Sequence, residues 1–263
     1  DINYYDHGIG QPVVLIHGYP LDARSWDKQE RVLLETGYRV VSYDRRGFGG
    51  SSQPVIGYDY DTFAADLNVL IEHLDLRDVV LVGHSMGTGE VTRYLSRYGS
   101  ARVSKAVLIA SIPPYLLKTD DNPEGVDGSM FAETKAAIVA DRPAYFKSFL
   151  HNFFNVDVLG GTRVSDQAWQ AAFTMALAAS AHAAFACVDT WTTDFRGDLP
   201  KIDVPVLLVH GDQDRILPYA STAARLPGLI KDLTFVPVEG GSHNIPWTHA
   251  DVVNPALLDF LKS

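Results

Sequence analysis

The sequence predicts an α/β fold: a mostly parallel central sheet with helices on both faces and a helical cap inserted into it. Continuous apolar runs, which are typical of buried parallel strands, alternate with segments of helical periodicity. This alternation stops at about residue 112 and resumes at about residue 199. Small and polar residues follow the apolar runs, at the carboxyl strand ends where sites in such sheets lie.

The elements before the break follow from local patterns. An alternating segment predicts an edge strand over residues 2–6, and apolar runs predict strands over 12–16, 39–43, 79–82 and 103–110. Residues 25–36 are expected to form a helix with Ser25 as its N-cap. A second helix is expected over 62–74, since its apolar residues fall on one face.

The break in the alternation predicts two units, a core of residues 1–111 and 199–263 and a helical cap of residues 112–198. Within the cap we expect a polar loop at 119–128 and helices around 130–140, 144–154 and 166–188. An ordinary helical subdomain with no role at a site is the alternative. After the cap, strands are expected over 204–209 and 233–238, and helices over 220–226 and 252–261.

The bulk composition limits the classes of partner. The 263 residues carry 22 basic and 32 acidic side chains, and the net charge of −10 without basic runs argues against nucleic-acid or anionic-membrane binding. Cys187 is the single cysteine, lies in an apolar run and is expected to be buried and unreactive. We expect a cytoplasmic protein, with secretion left open because the sequence starts abruptly at a strand. A homo-oligomer also stays open.

The central motif is Gly-x-Ser-x-Gly, with Ser85 between Gly83 and Gly87. It follows an apolar strand and precedes a helical segment, which is the strand, sharp turn and helix that a nucleophilic serine requires. The glycines avoid collisions across the turn, and the helix N-terminus favours developing negative charge. A glycine-rich turn with an incidental serine is the alternative.

Two further strand ends complete a candidate catalytic triad in the order Ser, Asp, His. His243 follows the last strand and is expected to accept the proton of Ser85. Two aspartates follow the preceding strand. We assign Asp214 to His243, and we expect Asp212 to turn at the strand end and bind loop amides. The backbone N–H groups of Tyr19 and Met86 are the expected oxyanion donors.

The other histidines are expected to be structural. His17 should pack and form hydrogen bonds before the oxyanion loop, His84 should point away from Ser85, His210 should support a strand end, and His249 should lie at the surface. No His, Cys and carboxylate group has the spacing of a zinc site, so no metal is expected.

The sequence resembles the α/β-hydrolases, and within them the group of cofactor-free haloperoxidases, perhydrolases, arylesterases and γ-lactamases. The matching segments are HGYPLD (17–22), YDRRGFG (43–49), SMGTGE (85–90), TDFR (193–196), HGD (210–212) and WTHA (247–250). The chain departs from this group at His84, where many relatives have Phe, and at Gly241-Ser242-His243-Asn244, where Ala-Pro-His-Gly is usual. The resemblance also places the triad acid at Asp214.

The resemblance implies a serine hydrolase that cleaves small esters, lactones or amides through an acyl-enzyme, without haem, metal or other cofactor. Hydrogen peroxide would replace water in a side reaction that gives a peracid, and Pro20 is a feature of relatives with good perhydrolase activity. We expect an acyl pocket to include Pro20, Phe131, Phe153, Trp169 and Trp191, with core packing as the alternative for each aromatic residue. Carbon–carbon hydrolase or lyase chemistry on the same triad, and a small-molecule receptor, remain alternative functions.

Overall fold

A single seven-stranded sheet organises the molecule. The computed structural model describes residues 1–263. The strands are β1 (Tyr4–His7), β2 (Pro12–Ile16), β3 (Arg39–Tyr43), β4 (Val79–His84), β5 (Val103–Ile109), β6 (Val206–Gly211) and β7 (Leu233–Val238). Their order is β1-β3-β2-β4-β5-β6-β7, in which β1 is antiparallel and the other strands are parallel.

The central strands are buried on both faces, as their continuous apolar sequences require. Every residue of β2, β4 and β6 is buried, and alternate side chains of these strands enter two separate apolar clusters. Because the sheet is covered on both sides, its functional groups can reach solvent only at the strand ends.

Five helices belong to the segments that alternate with the strands. They are α1 (Asp27–Glu35), α2 (Tyr60–His73), α3 (Met86–Tyr98), α8 (Ile245–Thr248) and α9 (Ala250–Lys262). Asp59 caps α2, since its carboxylate accepts from the Thr62 N–H at 2.8 Å. The helix predicted over 62–74 therefore begins at Tyr60.

The four helices between β5 and β6 have no strand among them. They are α4 (Ser129–Phe154), α5 (Val156–Leu159), α6 (Asp166–Ala178) and α7 (Ala181–Thr190). Asp141 has non-helical angles (φ −160°, ψ 91°) two residues before Pro143, so α4 is bent at that point. Their buried side chains form a third apolar cluster together with Tyr19, Phe48 and Met86 of the sheet edge.

Two predicted helices are wrong in detail. Ser25 does not cap a helix over 25–36, because the Asp22 carboxylate accepts from the Arg24 N–H at 3.0 Å and starts a 3₁₀ turn, Ala23–Trp26, ahead of α1. Residues 220–226 form two short 3₁₀ turns, Tyr219–Ser221 and Ala223–Arg225, since Thr222 between them has non-helical angles (φ −128°, ψ −94°).

No single helix is long and apolar enough to cross a membrane, and only the pair α6 and α7, bent by 94°, reaches that length and composition together.

Candidate active site

Ser85 lies in the sharp turn between β4 and α3 with φ 55° and ψ −120°. This positive φ is strained for a residue with a side chain and persists only where the surroundings enforce it. A Cβ on Gly83 would lie 2.5 Å from the Gly87 carbonyl oxygen, and a Cβ on Gly87 would collide with the Ile16 carbonyl. Both glycines are therefore required for the turn that presents the serine hydroxyl.

The structure brings Ser85, His243 and Asp214 together in one hydrogen-bonded chain. His243 Nε2 lies 2.8 Å from Ser85 Oγ, and His243 Nδ1 lies 2.7 Å from Asp214 Oδ2. Because the carboxylate can only accept, Nδ1 carries the proton and Nε2 is free to accept from the serine hydroxyl. Ser85 is 6% exposed and His243 is fully buried, so this transfer is shielded from bulk water.

Four groups contact the Asp214 carboxylate: the N–H groups of Ile216 and Leu217 and the rings of His210 and His243. Its Oδ1 accepts from the N–H groups of Ile216 and Leu217 at 2.9 and 2.8 Å, and its Oδ2 lies 3.3 Å from His210 Nε2. Burial opposes ionisation, but the charge of His243 and the hydrogen bonds outweigh it and hold the pKa of Asp214 well below its usual value. Asp214 is therefore a carboxylate at neutral pH.

Asp212 lies apart from the histidine, at the solvent side of the same loop. Its Oδ1 accepts from the Gly240 N–H at 2.8 Å, so it binds the turn after β7. Of the two aspartates that follow β6, the structure thus brings only Asp214 to His243.

The loop after β2 passes directly against the nucleophile. A Cβ on Gly18 would lie 2.9 Å from Ser85 Cβ, so only glycine allows this approach. The Tyr19 N–H donates to no group in the protein. Met86 is the first residue of α3, where the N–H has no partner within the helix. These two N–H groups are available to a developing oxyanion beside Ser85.

A buried ion pair between Arg45 and Glu90 holds the start of this loop. Neither residue was predicted from the sequence to have a role. Arg45 donates through Nη2 to the His17 carbonyl at 2.9 Å, and its Nε lies 2.8 Å from Glu90 Oε2. Tyr43 also donates to Glu90. Burial acts to lower the pKa of Arg45, but the Glu90 carboxylate outweighs burial and raises it. The end of β2 is thus tied to a permanent charge.

The predicted structural roles of the histidines are seen in their contacts, except at His249. His17 Nε2 accepts from the Arg45 N–H at 2.9 Å, and burial with the Arg45 charge lowers the pKa of His17 to about 4. His210 Nδ1 accepts from the Ser111 N–H at 3.1 Å. His249 is not at the surface. It is 5% exposed, and its Nδ1 pairs with Thr248 Oγ1 at 2.9 Å.

His84 packs its ring against Trp26 and Phe153 and lies beside His243. Its Nε2 donates to the His243 carbonyl oxygen at 3.1 Å. Burial, followed by the His243 charge, lowers the pKa of His84 to about 3, so the ring is neutral. The polar group that this chain carries next to Ser85 therefore contacts the backbone of His243.

A cavity of about 300 Å³ opens onto Ser85 between the sheet edge and α4. Phe131 and Trp191, predicted as pocket residues, line it together with Tyr19 and Met86. Apolar side chains of the loops and of α4 form most of the rest of its wall: Ile112, Leu116, Val126, Met130, Phe149, Ile216, Leu217 and Pro218. Polar groups occur mainly on α4 and at Arg215: Thr134, Tyr145, Ser148, Asn152 and Arg215.

Three predicted pocket residues do not line this cavity. Phe153 packs edge-on against His243, with ring centroids 4.9 Å apart. Trp169 stacks on Phe173 of the same helix at 5.2 Å. Pro20 is buried, but the adjacent Tyr19 ring, 4.9 Å from Trp191, forms that part of the wall.

One further prediction has a direct structural counterpart. Cys187 is fully buried, and burial raises the pKa of its thiol to about 12. No group of three His, Cys, Asp or Glu side chains in the chain could hold a metal ion.

Comparison with known proteins gives consistent matches over the whole chain. The α/β-hydrolase-fold family model matches residues 11–250. A Synechocystis protein is 64% identical over 262 residues, covering 100% of this chain and 95% of the relative. Its name assigns it a non-heme chloroperoxidase activity provisionally. A bifunctional esterase/perhydrolase of Acinetobacter calcoaceticus is 35% identical, covering 100% of this chain and 96% of the relative.

The solved structures agree with the sequence relatives. A bromoperoxidase from Bacillus anthracis superposes with a TM-score of 0.96 at 44% identity, covering 100% of this chain and 95% of that one. Fold, family model and relatives point the same way. The chain is a hydrolase that belongs to the α/β-hydrolase family, in its group of non-heme haloperoxidases, perhydrolases and esterases.

Proposed function

We propose that the protein cleaves small esters through an acyl-enzyme on Ser85, with His243 as general base and acid and Asp214 as its charged partner. The observation that carries this proposal is the continuous Asp214–His243–Ser85 hydrogen-bonded chain, which ends in an apolar cavity. The cavity volume and apolar lining suit a small acyl group rather than a polymer.

In the first half-reaction, Ser85 Oγ attacks the ester carbonyl while His243 Nε2 takes the hydroxyl proton. The Asp214 carboxylate stabilises the imidazolium that results. The oxyanion accepts from the Tyr19 and Met86 N–H groups, where the N-terminus of α3 adds a favourable dipole. Collapse breaks the bond to the leaving alkoxide, which takes the proton from His243 and departs as an alcohol.

In the second half-reaction, a small nucleophile gives its proton to His243 and attacks the acyl-enzyme. Water releases a carboxylic acid, and Ser85 Oγ takes the proton back from His243 as its bond to the acyl carbon breaks. Hydrogen peroxide in the same position releases a peracid, because one peroxide oxygen becomes bonded to the acyl carbon. A peracid and a proton then oxidise a halide ion to hypohalous acid and leave the carboxylic acid.

The names of the relatives support the peroxide branch. One bears the name esterase/perhydrolase, and a close structural neighbour is named a bromoperoxidase. A peracid formed on the triad accounts for both kinds of name on one fold. Lactones and amides are proposed as further substrates on the same acyl chemistry.

The test is the partition of one acyl-enzyme. The protein is given p-nitrophenyl acetate with and without hydrogen peroxide, and nitrophenol, acetic acid and peracetic acid are measured together. We expect steady turnover and peracid formation only with peroxide. In Ser85→Ala the catalysed formation of acetic acid and of peracetic acid should both be lost. Peracid formation by Ser85→Ala above the rate without protein would contradict the proposal. A nitrophenol burst without further turnover would favour the receptor alternative.

A further inference from the structure

One short segment of the cap contacts both loops that carry the partners of Ser85. This segment, residues 153–157, joins the end of α4 to the start of α5 and is called the clamp segment here. The loop after β6 carries Asp214, and the loop after β7 carries His243. The clamp segment therefore reaches both halves of the pair that moves the proton.

The clamp segment holds the backbone around His243. The Asn244 N–H donates to the Phe153 carbonyl oxygen at 3.0 Å, while His84 donates to the His243 carbonyl at 3.1 Å. These are the two polar groups of a single peptide unit. The fully buried Phe153 ring packs against the imidazole at the same time. The peptide that follows His243 is thus fixed at both ends.

Asn155 holds the backbone before Asp214. Its Nδ2 donates to the Gln213 carbonyl oxygen at 2.9 Å, and the residue is 3% exposed. The N–H of Gln213 donates to the Gly241 carbonyl on the neighbouring loop at 3.1 Å. Both backbone polar groups of Gln213 are therefore bound: its carbonyl oxygen by Asn155, and its N–H by the loop that carries His243.

The conformation of Asn155 explains why this position carries an asparagine. It ends α4 in the left-handed region, with φ 51° and ψ 52°. Asparagine and aspartate tolerate this region better than other residues with side chains. Of these two residues only asparagine has an uncharged amide donor, and that donor meets the Gln213 carbonyl oxygen.

We infer that Asn155 is a positioning residue for acyl transfer, since it fixes the Gln213–Asp214 peptide and through it the Asp214–His243 pair. This inference rests on the proposed triad function. The Asp214 carboxylate must face Nδ1 while His243 Nε2 faces Ser85 Oγ. A misplacement of about 1 Å at such a chain costs on the order of 100-fold in rate.

The main test is Asn155→Asp, which keeps the shape and the left-handed backbone but replaces the amide donor by a carboxylate. We expect kcat for p-nitrophenyl acetate to fall about 10- to 100-fold. KM should stay within about twofold, because the cavity wall is unchanged. Phosphonylation of Ser85 by a fluorophosphonate should slow by the same factor as kcat. Asn155→Gly keeps the φ angle and also removes the donor, so it should show the same split.

The pH dependence of Asn155→Asp separates positioning from simple loss of stability. A protonated aspartic acid can donate its O–H to the Gln213 carbonyl and restore the bond, so the deficit relative to wild type should shrink as the pH falls. The neighbouring charged and titratable groups are His151 and Asp157 on the cap and Asp214, Arg215 and His243 on the loops. All are present in both proteins.

The matched control is His182→Ala. His182 Nε2 donates from the cap to the Val55 carbonyl of the core at 2.7 Å, away from both triad loops. It should leave kcat within about twofold, since it removes a cap-to-core bond that does not touch the triad. If Asn155→Asp leaves kcat unchanged, or if its deficit does not change with pH, the inference is wrong. If wild-type Ser85 is not labelled at all, the proposed function itself fails.

Discussion

The edge of the sheet and the cap meet around one cavity, but they are built in different ways. At the edge, Asp214 and His243 are fixed by several hydrogen bonds, and Arg45 ties the loop after β2 to Glu90. On the cap side, the wall is mostly apolar side chains in van der Waals contact. We infer that the edge, held by the clamp segment of the cap, determines the rate, and that the apolar wall of the cap determines which acyl group is accepted.

The largest expected effect lies at the edge. Asp214→Asn should lower kcat on the order of 10⁴-fold, because the amide favours the wrong tautomer of His243. The measurement is kcat together with Tm. The fold should be retained, since the side-chain oxygen of asparagine can still accept from the Ile216 and Leu217 N–H groups.

Asp212→Asn is the matched control for that substitution. Asp212 binds only the exposed Gly240 N–H of the turn, so its replacement should lower stability slightly and leave kcat within about twofold. If Asp212→Asn abolishes turnover at unchanged Tm while Asp214→Asn stays active, the two roles must be exchanged.

An intermediate effect is expected on the cap side. Phe131→Ala enlarges the cavity next to Ser85, and the ratio of kcat/KM for hexanoate over acetate esters should rise about 10-fold or more. The control is Trp169→Ala on the neighbouring helix, which stacks outside the cavity. It should lower Tm and leave the ratio unchanged. If the hexanoate-to-acetate ratio of kcat/KM is the same in both variants, the cavity wall of the cap does not determine which acyl group is accepted.

The smallest effect concerns stability against pH. Burial lowers the pKa of His84 to about 3, below its unfolded value near 6.5, so the unfolded state binds more protons between these values. The stability that neutral His84 contributes is therefore present above pH 6.5 and is lost as the pH falls toward 3. Each pH unit inside this window costs up to about 1.4 kcal/mol for one such group.

His84→Phe should flatten this dependence. Its free energy of unfolding, measured in urea at pH 7, 6 and 5, should fall less steeply than that of wild type, although the pH 7 value is lower because the bond to the His243 carbonyl is lost. Parallel pH curves for the two proteins would show that His84 is not the neutral buried group described above.

Much of the sheet, and the sharp turn at Ser85 between β4 and α3, can be predicted from local sequence. The apolar runs of β2, β4 and β6 are typical of buried strands, and the absence of a Cβ at Gly83 and Gly87 permits the turn at Ser85. The pairing of Asp214 with His243 was expected from chain order and from the family resemblance. Local sequence predicts structure well where a backbone conformation can be adopted by only a few residue types, as at Gly83 and Gly87.

The cap could not be predicted at the same level. Whether an aromatic residue faces the cavity depends on how α4 bends at Asp141 and how α6 crosses it, and helical periodicity contains neither quantity. Phe131 and Phe153 lie on the same helix, yet one lines the cavity and the other packs on His243. The pair of Arg45 and Glu90 was missed because 45 residues separate its members and neither breaks a local pattern.

The most direct test of the account is to find which residue forms the covalent intermediate. Wild type is treated with a fluorophosphonate, digested and mapped by mass spectrometry, beside Ser85→Ala and His243→Ala. We expect one adduct on Ser85, none in Ser85→Ala and much slower labelling in His243→Ala. An adduct on another residue, or wild-type ester turnover by Ser85→Ala, would contradict the assignment of Ser85 as the nucleophile.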